Sequence, residues 1–395
     1  MIGYHRYLKC FVLSCLLCVS PPFPVWGAAQ ELQPIDLSPF GSCIGHWRKL
    51  QDDSRFIHVE PNQPAYDKTQ VRQIIDNILL YQRADGGWPK DYDMTAVLTD
   101  QQRAAVLATH DRSDASYDNN NLFSQVEYLA QAIQQVADPG WQSACERGLD
   151  FMLQSQYEHG GFPQRYPHPH SYHAHITFND GVMIGILRVL NDAAEGAEHF
   201  QWLDEGRRLR ARSAVERGVE CILQCQIHVA GELSGWCQQH DQQTFEPRPA
   251  RTFELASICP QETTEICRFL MSVEYPSPAI CQSIESAVRW LEQTQLSGLR
   301  VEKIAAPQAE FLRHDVNFDV VVVDDPQAPP IWARHYEIGT DRPIFAGRDG
   351  ILKYELAQIE RERRTGTPWY GGWPTRLLQQ EFPRWQQTVV NSPGE

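Results

Sequence analysis

Leu79-Leu80-Tyr81-Gln82-Arg83-Ala84-Asp85-Gly86-Gly87-Trp88-Pro89 closes one helical-looking run, and Met152-Leu153-Gln154-Ser155-Gln156 followed by Gly160-Gly161-Phe162-Pro163 closes another in the same manner. A Gly-Gly pair stops a helix because positive φ costs it little, and the proline keeps the next turn from resuming one. The tetrad occurs again as Gly371-Gly372-Trp373-Pro374. Helix ends of similar character but without it stand at Leu223-Gln224-Cys225-Gln226 and Trp290-Leu291-Glu292-Gln293-Thr294-Gln295. With Gln82, Gln156, Gln226 and Gln295 as register marks, the unit recurs about every 70 residues, room for two helices and their loops. Helical hairpins set in a ring would bring these loops to one end. The chain therefore reads as all-α, an (α/α) toroid of helical hairpins with small β elements.

The rest of the chain fits that frame. From Thr69 the apolar positions Val71, Ile74, Ile75, Ile78 and Leu79 follow helical spacing. Further helices are expected over 122–136, 141–156, 181–194, 207–226 and 262–269. Strand-like sequence is confined to Val320-Val321-Val322-Val323 and Ile331 to Ile338, with the proline-rich loop Asp324 to Pro330 between them. Residues 30–65 carry Pro34, Pro39, Pro61 and Pro64 and are expected to wrap the surface irregularly.

The N-terminus has the pattern of a secretory signal: basic His5, Arg6 and Lys9, an apolar stretch from Cys10 to Val19, and small residues around Gly27-Ala28-Ala29. The apolar run is too short for a membrane span, and a lipid anchor at Cys15 or Cys18 is the weaker alternative. The organisation expected is a signal peptide over 1–28, an irregular extension over 29–65 and a catalytic toroid over 66–395, giving a monomer that is secreted or periplasmic. Of the 11 cysteines, three fall in the leader. The even remainder permits disulfides without defining their pairing, and Cys221 and Cys225 also suit a helix core. A formal net charge of −15 argues against a general nucleic-acid binder. Arginine supplies most of the positive charge, and its planar fork matches carboxylates in two-point geometry.

Several residues carry chemical promise. Asp118-Asn119 precedes the helix from Leu122, and Thr177-Phe178-Asn179-Asp180 precedes the helix from Gly181. Each acid could simply cap its helix; two at equivalent turns could instead converge on the axis and hold a hard cation such as Ca²⁺. His173 and His175 read as solvent-exposed loop histidines. Arg251 lies near a loop end, either as an ion-pair partner of Glu254 or as a functional cation. After the segment from Trp332 to Gly350, Leu352, Leu356 and Ile359 mark one face of an expected helix. Arg363 continues that inward stripe, whereas Arg361 and Arg364 read as solvated.

The ordered set GGWPK, Asp118-Asn119, GGFPQRYP, TFND, Ala-Arg-Thr-Phe-Glu-Leu, ARHYEIGTDRPIFAGRDG and YELAQIERERR…WYGGWPT, from about Asn77 to Pro374, resembles the polysaccharide lyase family 10 pectate lyases. The resemblance implies Ca²⁺-dependent cleavage of polygalacturonate, an acidic polysaccharide, by β-elimination. It implies metal roles for Asp118 and Asp180, a substrate contact for Asn119, proton abstraction by Arg251, and a grip on uronate carboxylates by Arg334, Arg348 and Arg363. Two departures stand out. Asn120-Asn121 replaces smaller residues, which bears on a substrate subsite, and Gly181 replaces a second acid after Asp180, which bears on metal affinity. Arginine is an awkward base, since its pKa of about 12.5–13.8 keeps it charged; calcium, neighbouring cations and partial burial are expected to lower that value, and the alternative is that Arg251 orients and stabilises charge. Competing readings are a non-catalytic uronate-binding protein and a glycoside hydrolase using Asp118 and Asp180 as its carboxylate pair. A terpene-cyclase-like toroid fits poorly, because Asp324-Asp325 is flanked by prolines.

Overall fold

A computed structural model describes residues 31–49, 57–60, 62–311 and 314–391; the leader-like residues 1–28 lie outside them. Leu32–Glu395 folds as one compact unit. Its helices are α1 (Gly41–Lys49), α2 (Val71–Tyr81), α3 (Asp100–Leu107), α4 (Phe123–Gln135), α5 (Pro139–Ser155), α6 (Val182–Glu195), α7 (Glu205–Cys225), α8 (Pro260–Met271), α9 (Pro278–Gln293), α10 (Arg361–Gly366) and α11 (Phe382–Asn391). The pairs α4/α5, α6/α7 and α8/α9 pack as successive hairpins. In α6, Val182, Met183, Ile184, Ile186, Leu187, Val189 and Leu190 are all buried, so this helix is covered on nearly every side. Its partner α7 buries only a stripe of Ala211, Ala214, Gly218, Cys221, Ile222 and Cys225, and its remaining surface is polar. The helices α4, α6 and α8, packed in sequence against one another, form the inner layer; α5, α7 and α9 form the outer one. This is the α/α toroid arrangement expected from the repeat.

The register glutamines explain why the repeat is so regular. Gln82 donates from Nε2 to the carbonyls of Gly86 (3.0 Å) and Ala144 (2.9 Å), tying the end of α2 to its own loop and to α5. Gln156 does the same with Gly160 (3.0 Å) and Ala214 (2.8 Å) on α7. Gln226 follows with Ser234 (2.7 Å) and Ser283 (3.0 Å) on α9. Each clasp satisfies loop and helix carbonyls that would otherwise be buried without a partner. Gly86 (φ 95) and Gly160 (φ 89) are obligatory here: a Cβ would stand 2.4 Å from the Arg147 carbonyl oxygen and 2.0 Å from that of Arg217. Indole N–H groups reinforce the unit, Trp88 to the Ile78 carbonyl, Trp236 to Ile222 and Trp332 to Leu291, each at 2.8 Å. The third and fourth loops are therefore Ser234-Gly235-Trp236 and Ile331-Trp332. Gly371-Gly372-Trp373-Pro374 is not one of them; it lies beyond the toroid helices, with Trp373 half-buried.

The β elements are small antiparallel pairs with one exception. The strands are β1 (Ile176–Thr177), β2 (His228–Val229), β3 (Glu232–Leu233), β4 (Gln239–His240), β5 (Leu299–Glu310), β6 (Asp315–Asp324), β7 (Trp332–Ala333), β8 (Phe345–Ala346), β9 (Leu352–Lys353) and β10 (Tyr370–Gly371). They pair as β1–β4, β2–β3, β5–β6, β7–β10 and β8–β9. The valine run belongs to β6, as expected; its long partner β5 was not anticipated, because Ala305 to Ala309 breaks the register.

Three further expectations are corrected. The segment before residue 66 does not merely wrap the surface: Leu32, Ile35, Phe40 and Trp47 enter the main core, and α1 lies within it. Leu352, Leu356 and Ile359 do not share a helix. Leu352 is in β9, Leu356 opens a 3-10 turn, and only α10 is helical. Leu356 and Ile359 nevertheless bury together with Phe345 and Trp369 in a satellite core. Arg361 and Arg364 are not solvated. Arg361 donates to the Phe318 carbonyl at 2.9 Å, and Arg364 pairs with Asp319 at 2.5 Å, so α10 is fastened to the ribbon. All eight described cysteines are free thiols, buried except for Cys281, which is partly buried.

Candidate active site

The two acid turns have the same backbone. Asp118–Asn120 and Asn179–Gly181 are each a single 3-10 turn with its middle residue left-handed, Asn119 at φ 59 and Asp180 at φ 53. Neither acid caps a helix: Leu122 precedes α4 and Gly181 precedes α6. By position in the turn, Asp180 corresponds to Asn119 and Asn179 to Asp118. Left-handed backbone at non-glycine residues costs of order 1–3 kcal/mol each and gathers at functional sites. The turns touch, and the carboxyl groups of Asp118 and Asp180 come near enough to act on one another's charge.

The two acids are pushed apart in acidity. Crowding by protein around the carboxyl, then the charge of Asp118, push Asp180 above the usual carboxylate range, although the residue as a whole opens to solvent. Burial would raise Asp118 as well, but Lys90, with Nζ 2.7 Å from Oδ2, holds it below that range. Gln164 donates to the other oxygen at 3.1 Å, and Asn179 donates to Asp180 at 2.9 Å. Asn119 is tied to Asp91 Oδ1 (3.0 Å) and to His46 Nδ1 (2.7 Å) of α1. Among the described residues, no third His, Cys, Asp or Glu brings a ligand atom within 4.8 Å of both members of the pair; the group meeting that spacing is Glu127, Asp192 and His199, on α4, on α6 and after it. There His199 Nε2 stands 3.2 Å from Glu127, an ion-pair arrangement between the second turn of α4 and the segment after α6.

The arginines form the second half. Arg251, Arg348 and Arg363 stand over the buried ring of Phe253, with Cζ at 4.8, 5.4 and 4.3 Å from its centroid. Glu254 takes Arg251 through Nε (2.7 Å) and Nη2 (2.5 Å). Glu362 takes Arg348 (3.0 and 2.8 Å) and Arg363 (2.9 Å twice) in the same two-point fashion. Arg334 holds Gln261 at 3.4 Å, and both Arg334 and Arg251 are near enough to stabilise negative charge on Asp180. Burial alone would ease deprotonation of Arg251, but Glu254 overcomes it and holds the guanidinium's proton more firmly than usual. The sequence-based expectation of a lowered value is not what these neighbours produce.

All seven residues singled out from the sequence thus gather in one region, acids and Asn119 on one side and arginines on the other. Sequence reasoning missed Lys90, Asp91, His46, Phe253 and Glu362. Lys90, Phe253 and Glu362 lay inside quoted motifs, whereas His46 and Asp91 gave no signal of their own. His173 and His175 are half-buried rather than exposed; His173 stacks on Tyr172 at 4.1 Å, and burial lowers its pKa to about 4.

A family model described as pectic acid lyase matches residues 82–378. The chain belongs to the pectic acid lyase family. It is similar to a family 10 polysaccharide lyase from Cellvibrio cellulosa, at 27% identity and a TM-score of 0.67, covering 81% of this chain and 92% of that one. An Asp-to-Ala variant of that lyase, solved in complex with trigalacturonic acid, matches at 27% identity and a TM-score of 0.66, covering 80% and 92%. No curated protein matches the chain. Family membership makes it a polysaccharide lyase, and the toroid is the fold those lyases share. Among the described residues no helix is long and apolar enough to cross a membrane.

Proposed function

We propose that this pectic acid lyase family member is an exported enzyme that cleaves polygalacturonate by calcium-dependent β-elimination, leaving unsaturated oligogalacturonates. The observation that carries the reading is the gathering of Arg251, Arg334, Arg348 and Arg363 beside the Asp118–Asp180 pair. In β-elimination the C5 proton of a uronate passes to a base, which is solvent hydroxide or water where Arg251 stays protonated; the C4–O bond to the next sugar breaks, a C4–C5 double bond forms, and the departing oxygen gains a proton from solvent. The C5 proton is α to a carboxylate, so negative charge builds on a group that already carries it. Cations held at that carboxylate lower the barrier.

In this reading Arg334, Arg348 and Arg363 grip uronate carboxylates, Asn119 contacts the sugar, and Arg251 acts at C5. Glu254 opposes loss of the Arg251 proton, which favours Arg251 as the charge that stabilises the developing carbanion over Arg251 as the base. The acid pair suits calcium in its donors: hard oxygens only, on two carboxylates whose repulsion a divalent ion would relieve. Asp118 and Asp180 would hold it, with water and substrate oxygens completing the shell because no third acid among the described residues joins them. Bound there, calcium would supply positive charge to the substrate carboxylate. Lys90 already neutralises part of Asp118, and Gly181 contributes no second acid, so binding is expected to be strongest with substrate present.

A hydrolase reading is not favoured. Its two carboxyl groups must stand about 5–9.5 Å apart to flank the scissile bond, whereas Asp118 and Asp180 crowd together on touching turns, where the charge of one raises the pKa of the other. The deciding experiment incubates the protein with polygalacturonate, with and without a chelator, following ultraviolet absorbance and product length. Saturated products would refute elimination, and undiminished turnover in excess chelator would refute the calcium role.

A further inference from the structure

The geometry points to Phe253 as a positioning residue that sets two carboxylate-gripping arginines, Arg348 and Arg363, in common register with Arg251; this rests on the uronate-cleaving reading above. Phe253 is 4% exposed, and three guanidiniums from separate segments stand over its ring. An aromatic face carries negative quadrupolar potential, so a guanidinium laid over it keeps its N–H edges free in plane. The hydrogen bonding repeats at all three. Arg251, Arg348 and Arg363 each give Nε and Nη2 to a glutamate, Glu254 or Glu362. In each, Nη1 has no hydrogen-bond partner among the described residues, and all three Cζ atoms gather on the one ring.

In direct pairing three guanidiniums face two glutamates, with Glu360, which accepts from the Arg348 backbone N–H, as a further negative charge nearby. The glutamates alone would not gather these cations: Glu254 serves one arginine and Glu362 the other two, and Phe253 is what the two sets share. An apolar side chain of similar size would fill the space without holding the planes.

The experiment uses the full-length protein with Phe253→Leu, Phe253→Tyr, Arg363→Lys and the Leu/Lys double variant. Affinity for trigalacturonate is read by calorimetry, with neutral trigalactose as control, beside kcat and KM on polygalacturonate and the melting temperature. Phe253→Leu is expected to weaken trigalacturonate binding and lower kcat/KM by about 10- to 100-fold, as misplaced binding groups do. Phe253→Tyr keeps the π face and should stay within about threefold of wild type. Because Phe253 acts through the arginines, Arg363→Lys should cost less than about twofold in the Leu background yet about tenfold in the wild type. Multiplicative losses in the double variant, or a Phe253→Leu protein that binds trigalacturonate normally, would overturn the proposal. Tight binding that depends on Phe253 without any unsaturated product would instead sink the catalytic reading and leave this one standing.

Discussion

Glu254 holds Arg251 by two points along one edge of its guanidinium, Oε2 accepting from Nε at 2.7 Å and Oε1 from Nη2 at 2.5 Å, with the carboxylate buried and the guanidinium open. The pairing was the plain structural alternative for Arg251 in the sequence, and it exists. It does not compete with a catalytic role. A buried carboxylate against an exposed cation fixes where the cation points and makes its proton harder to remove.

Arg251→Ala should therefore abolish most turnover, by at least about 10²–10³-fold as for other charge-stabilising donors, while trisaccharide affinity measured by calorimetry stays near normal. Glu254→Gln distinguishes the two roles. If Arg251 works as a fixed cation, the loosened fork lowers kcat by roughly tenfold, a loss of about 1.4 kcal/mol, without moving the pH profile. A rise in kcat at alkaline pH would instead identify Arg251 as a base released from its carboxylate.

The acid pair makes a prediction that does not depend on turnover. Calcium titrated calorimetrically into protein with trigalacturonate should give a binding isotherm that Asp180→Ala and Asp118→Asn abolish. Circular dichroism and melting should show both variants folded, since Asp180 caps no helix. A folded Asp180→Ala protein with unchanged calcium binding would move the metal elsewhere, with Glu127, Asp192 and His199 the next place to look.

Glu362 should leave a signature in the acid stability of the protein. Burial alone would raise its pKa, but the forks of Arg348 and Arg363 overcome that and hold it at about 2, against an ordinary value of 4.5. A lowered folded value means that the unfolded chain binds the proton more readily, so the stabilisation is complete above the ordinary value and fades as pH falls toward the folded one. The difference in melting temperature between wild type and Glu362→Gln should be constant at neutral pH and shrink between about pH 5 and pH 2. A difference independent of pH would mean that Glu362 packs rather than pairs.

The legible parts of this protein are those written locally. Helix periodicity, the Gly86 and Gly160 turns and the acid-bearing turns depend on residues near in sequence, and they predicted the hairpins and the acid side of the site, whereas the arginine side came from the family resemblance. Partner choice across loops was not legible. Nothing in Lys90 announces Asp118, and nothing in His46 announces Asn119, because each pairing exists only once α1 and two loops are docked. Gly371-Gly372-Trp373-Pro374 repeats the tetrad without its structural setting, while Ser234-Gly235-Trp236 has the setting with a degraded motif; the indole bond to Ile222, not the glycine pair, marks the true unit. The stripe Leu352–Leu356–Ile359 was read as one helical face, yet strand and turn deliver Leu356 and Ile359 to one small core.

Arg364 and Arg361 carry the last consequence. On α10, Glu362 and Arg363 serve the site while their neighbours reach the other way, Arg364 to Asp319 at 2.9 and 2.5 Å and Arg361 to the carbonyls of Phe318 and Pro307 at 2.9 and 2.8 Å. A helix this short has little stability of its own, so its placement comes from these anchors and from the indole of Trp369, which donates to the Arg363 carbonyl at 2.9 Å. Removing a partly buried charge partner leaves the other charge without its pair, at a cost of about 1–3 kcal/mol. Arg364→Ala should thus lower the melting temperature and raise KM for polygalacturonate several-fold, although Arg364 itself pairs with the ribbon. Hydrogen exchange should quicken in α10 and along β6 together. Faster exchange in β6 alone, with KM unchanged, would mean that the ribbon and the arginine site are mechanically independent.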